Sequence, residues 1–86
     1  MLYYAAIEIT LRTSILDPQG KATSRALDQL GFQGIDDVRI GKFVELRLEA
    51  DSAEAAEDMA RSACQKLLAN EVMEDFSIRV TEAAAA

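Results

Sequence analysis

The sequence predicts an α+β domain of the ferredoxin-like type, β-α-β-β-α-β, with a four-stranded antiparallel sheet and two helices on one of its faces. Three observations lead there. Three short runs alternate with period two and a fourth, residues 35–40, is strand-like; two others carry helix-start chemistry and helical spacing, and they follow one another as strand, helix, strand, strand, helix, strand. With 86 residues there is room for one domain only, placed at residues 1–82, with the alanine run 83–86 expected to be a disordered tail.

In the first strand, residues 3–11, Tyr3, Ala5, Ile7, Ile9 and Leu11 share one face and Tyr4, Ala6, Glu8 and Thr10 the other. Asp17-Pro18 then reads as a helix start. Asp17 is placed to accept orphan backbone N–H groups, Pro18 carries the preset dihedral of the first helical position, and Leu16 is set to staple the cap. This helix should run to about residue 30, bury a stripe of Ala22, Ala26, Leu27 and Leu30, and end at Gly31 in a left-handed cap.

Residues 35–40 and 42–49 are so closely spaced around Gly41 that a hairpin is expected, with Gly41 at positive φ. In the second of these runs Val44, Leu46 and Leu48 alternate with Phe43, Glu45, Arg47 and Glu49. Asp51 and Glu54 form an expected capping box, and the helix that follows to about residue 69 has the stripe Ala56, Met59, Ala60, Ala63, Cys64 and Leu67. Asn70 is its expected C-cap. Residues 75–82 form the last strand, with Phe76, Ile78 and Val80 inward. By parity the open sheet face carries Tyr4, Glu8, Arg39, Phe43, Glu45, Arg47 and Arg79. The sheet edges are expected at residues 37–40 and 76–80, where unpaired backbone groups invite strand addition.

Composition excludes several classes of function. Nine Lys and Arg stand against 15 Asp and Glu, a formal charge of −6, which argues against nucleic acid as a partner. There is no histidine and a single cysteine, so neither a Cys-His nucleophile nor a zinc or copper site can be assembled, and Cys64 reads as a core residue. No acidic cluster suggests a magnesium site, and the carboxylate pairs Asp36-Asp37, Glu57-Asp58 and Glu74-Asp75 diverge from one another in strand or helix. No window approaches a membrane span and the N-terminus lacks a signal-peptide pattern, so a cytoplasmic protein is expected. No catalytic, cofactor-binding or metal residue is assigned. Partner contacts are placed at Asp17, Pro18, Gln19 and Gly20, where glycine in a first helical turn hints at a close approach, and at Arg39, Gly41 and Lys42 around the expected hairpin tip.

Three motifs in register carry a resemblance: Ile15-Leu16-Asp17-Pro18-Gln19-Gly20, Asp37-Val38-Arg39-Ile40-Gly41-Lys42 and Lys66-Leu67-Leu68-Ala69-Asn70. From about Tyr4 to Thr81 the chain resembles the PurS family, the small subunit of phosphoribosylformylglycinamidine (FGAM) synthase. It departs at Glu71, where the family usually has proline. The resemblance implies a non-catalytic subunit in purine biosynthesis. Such a subunit bridges a glutaminase subunit and a large synthetase subunit, which holds ATP and magnesium, and assists ammonia transfer for the conversion of FGAR to FGAM. It also implies self-association as a dimer or tetramer. The alternative is a regulatory module of the same fold that senses a small metabolite.

Overall fold

The computed structural model describes residues 1–83 and consists of β1 (Leu2–Leu11), α1 (Pro18–Gln29), β2 (Lys42–Glu49), α2 (Ala53–Ala63), a π-helical turn (Cys64–Leu68) and β3 (Glu74–Glu82). The sheet is antiparallel with order β2-β1-β3, so β1 is central and pairs Ile7 with Val44 on one side and with Ile78 on the other. The strand faces follow the alternation. Tyr3, Ala5, Ile7 and Ile9 are buried, and Tyr4, Glu8, Phe43, Glu45, Arg47 and Arg79 face the open side, where the Arg47 guanidinium lies 5.9 Å from the centroid of the Tyr4 ring.

The expected fourth strand and the hairpin do not form, and the architecture is β-α-β-α-β with three strands. The reason is local. The Ile40 N–H donates to the Asp17 carboxylate, and the Val38 carbonyl lies against the backbone of Gly20, so groups that a strand ladder would use are engaged at the start of α1. Gly34 at φ +86° and the weak strand formers Asp36 and Asp37 further disfavour pairing. Gly41 is not at positive φ. It is glycine because a Cβ there would run into the carbonyl of Ile9 at the end of β1. The edges are therefore β2 and β3, and Arg39 leaves the open sheet face.

Only one helix covers the sheet. The core gathers Ala5, Ile7 and Ile9 with Ala60, Cys64 and Ala69, flanked by Val44, Leu46, Leu48, Phe76, Ile78 and Val80. Helix α1 contributes nothing to it. Its one buried residue is Gly20, and the stripe Ala22, Ala26 and Leu30 is exposed, as is Leu16, which staples nothing. The left-handed cap at Gly31 forms, with φ +91°.

Helix α2 starts one residue later than the capping box required. Ser52, not Asp51, is the N-cap, and its hydroxyl accepts from the Ala55 N–H at 3.1 Å. Ala56, Ala60 and Cys64 are its buried face, while Met59 and Leu67 point outward. A π turn shifts the register after Ala63, with the Ala69 N–H returning to the Cys64 carbonyl at 3.0 Å, and this rotates Leu67 off the stripe and into solvent. Ala69 is the cap residue. Asn70 instead builds the next turn, its side-chain oxygen accepting from the N–H groups of Val72 (3.0 Å) and Met73 (3.3 Å). At the other end of β3, the Ala83 N–H donates to the Leu2 carbonyl at 2.9 Å, so the expected disordered tail does not begin at residue 83; residues 84–86 lie outside the described residues.

Candidate functional site

The two segments singled out in the sequence meet. Asp17 lies at the end of the link leaving β1, and Pro18 follows at the first position of α1, where its fixed φ suits the helix and no N–H is needed. One carboxylate oxygen of Asp17 accepts from the Gly20 N–H at 2.9 Å; the other accepts from the Ile40 N–H at 2.8 Å, 23 residues further along the chain. Both bonds favour the ionised carboxylate. The Ile40 and Gly20 N–H groups, with help from Arg39, hold the Asp17 pKa below its ordinary value of 3.8.

Glycine is required on both sides of this joint. A side chain at Gly20 would overlap the Val38 carbonyl, so the close approach suggested by a glycine in the first helical turn is made by the chain's own backbone. Lys42 completes the joint from β2. Its ammonium donates to the Leu68 carbonyl at 3.3 Å and lies 3.7 Å from the Glu74 carboxylate, tying the start of β2 to the π turn and to the start of β3. The nearby Arg12 does the same on the other side, reaching the Glu71 carbonyl and Asp75.

Of the seven predicted contact residues, Asp17, Gly20, Gly41 and Lys42 are thus internal fasteners of one joint at the end of the sheet. Pro18, Gln19 and Arg39 are exposed around it, and so are Gly41 and Lys42. Between them lies a shallow cavity of about 270 Å³ bordered by Leu11, Pro18, Gln19, Ile40 and Glu74, and a groove of about 400 Å³ opens beside it between Ser14, Lys21 and Arg39. Sequence reasoning missed Val38, Ile40, Leu68 and Glu74 as partners of the joint. A glycine directly after Asp-Pro-Gln was the one signal for such a contact, and it could not identify the other side.

The joint offers shape and hydrogen-bonding groups. Cys64 is buried in the core, and burial pushes its thiol pKa above the ordinary 9.0 against the weaker opposing effect of Arg61. Among the described residues no group of Asp, Glu or Cys gathers that could hold a metal ion, and no helix is long and apolar enough to cross a membrane.

The family model of PurS, described as phosphoribosylformylglycinamidine (FGAM) synthase, matches residues 4–82. A PurS subunit of that synthase from Synechocystis sp. is 44% identical over 92% of this chain and 79% of its own length. The PurS subunit from Bacillus subtilis is 38% identical over 98% and 99%. Among solved structures, a chain of PurLQS from Thermotoga maritima has a TM-score of 0.87 at 32% identity, covering 94% of this chain and 99% of the other.

Proposed function

The chain belongs to the PurS family and is a subunit of FGAM synthase in purine biosynthesis, and on that premise we propose that it acts without chemistry of its own, bridging a glutaminase subunit and a large synthetase subunit. The observation that carries this reading is the full-length likeness to the chain in the T. maritima PurLQS assembly, in a sequence that has no histidine to pair with its one cysteine. Glutamine hydrolysis then belongs to one partner, and ATP with magnesium to the other. This chain holds the two in the geometry that passes ammonia between them. The reading places the protein in the cytoplasm, where purine precursors are made, and has it self-associate as a dimer or tetramer.

Contacts with the partners run along the exposed side of the joint, through Pro18, Gln19 and Arg39, while Asp17, Gly20, Gly41 and Lys42 keep that surface in shape. A free-standing metabolite sensor is not favoured by a match to subunits of a biosynthetic synthase.

The test is reconstitution with the other two subunits. Glutamine-supported FGAM formation should fall to background when this chain is left out, and ammonia-supported formation by the large subunit should persist. The three chains should co-purify in the presence of glutamine and ADP-magnesium. Failure to associate under any ligand condition would overturn the bridging role.

A further inference from the structure

Two adjacent leucines compete for one place in the core. Leu67 stands seven residues, two α-helical turns, after Ala60, so helical spacing puts it on the face of α2 that holds Ala56, Ala60 and Cys64. In the structure Leu68 packs against the core instead, and Leu67 is 84% exposed. The π turn makes the exchange. Its Ala69 N–H returns five residues to the Cys64 carbonyl rather than four, so one extra residue enters the turn and the positions after it slip by one.

Because the competitors are the same side chain, burial and packing volume favour neither register strongly. What separates the two lies outside the helix. In the π register the Lys42 ammonium donates to the Leu68 carbonyl at 3.3 Å. It also lies 3.7 Å from Glu74, whose side chain is only 16% exposed and whose carboxylate accepts from the Asn70 N–H at 2.8 Å. A continued α-helix would turn Leu68 off the core and take its carbonyl away from Lys42, in return for an unbroken ladder of four-residue hydrogen bonds. The slipped residue would be taken up in the turn that Asn70 builds with Val72 and Met73. Two packings of one sequence that trade contacts in this way lie close in free energy.

We propose that the last turn of α2 is a register switch with two positions. With Lys42 seated on Leu68, the π register displays Leu67; with Lys42 withdrawn, the α register takes Leu67 into the core and turns Leu68 out of it. Lys42 is also the residue that connects this turn to the joint, since it borders the cavity shared by Pro18, Gln19, Ile40 and Glu74. A carboxylate entering that cavity competes for the Lys42 ammonium. Contact at the joint therefore decides which leucine is presented beyond Lys42. The switch belongs to the isolated chain and does not depend on the bridging role proposed above.

A double-mutant cycle in denaturant unfolding of the full chain, at one fixed protein concentration, tests the shared place. Leu67→Ala should change the unfolding equilibrium constant less than about threefold, because the π register already leaves that side chain in water. Leu68→Ala should weaken folding by about tenfold, less than a buried leucine usually costs, because Leu67 moves in. The double variant should lose about tenfold more than the two single losses multiplied, since nothing is left to fill the place. A second readout is the access of a soluble paramagnetic reagent to the Leu67 methyl groups in NMR spectra. These signals should be attenuated in the wild type. They should be protected in Lys42→Met, which keeps the aliphatic stem and removes the donor, and in Leu68→Ala, with the strand amide signals in place in both. A double variant whose loss equals the product of the single losses would overturn the switch, as would Leu67 methyl groups equally accessible in wild type and both variants.

Discussion

Asp17 serves two elements with one carboxylate, capping α1 through Gly20 and anchoring Ile40 from the following segment. Because its pKa is lower in the folded chain than the ordinary 3.8, it contributes stability that is fully present above that value and is lost as the pH falls through the depressed one. Asp17→Asn should therefore lower the melting temperature at pH 7, and the gap to wild type should narrow in melts carried below pH 3.8. A gap that stays constant with pH would mean that the charge is irrelevant. Gly20 makes a sharper case. Helix propensity alone favours Gly20→Ala by about 1 kcal/mol, yet the new Cβ would overlap the Val38 carbonyl, so a net loss of about 1–3 kcal/mol is expected in denaturant unfolding. Both residues were visible in the sequence as a cap and as a misplaced glycine. The partner of each lies more than 15 residues away and was not.

Among the elements, strands were the most legible. Alternation in β1, β2 and β3 names the inward-facing residues correctly because pleat parity follows from backbone geometry alone. Residues 35–40 show where sequence reading stops, since a strand-like run becomes a strand only if its backbone groups find a ladder, and here Asp17 accepts the Ile40 N–H first. Helix α2 was placed by its stripe, but its ends were not. Of two adjacent capping candidates, Ser52 won, so Ser52→Ala should cost about 1 kcal/mol and Asp51→Ala little, as thermal melts of the two variants would reveal. The π turn at Cys64–Leu68 left no trace in the spacing of apolar residues, and for that reason Leu67 was misassigned to the core.

At the scale of the whole molecule, the small core is complete only on one side of the sheet. Ile7 is fully buried at the centre of β1, and Ile7→Ala should cost ~2–5 kcal/mol, enough to unfold much of a domain of this size in equilibrium denaturation. If the chain self-associates as proposed, the melting temperature should also rise with protein concentration, because dissociation then accompanies unfolding. A melting temperature independent of concentration would argue for a folded monomer. The residues alone settled the class of element at most positions and the family, since each depends on local periodicity or on motifs in register. Tertiary structure decided that the sheet has three strands, that the motif residues fasten one joint, and that α1 stands away from the core. Those outcomes hinge on which of several backbone and side-chain groups compete successfully for the same partner across long stretches of chain, and local spacing does not encode that competition.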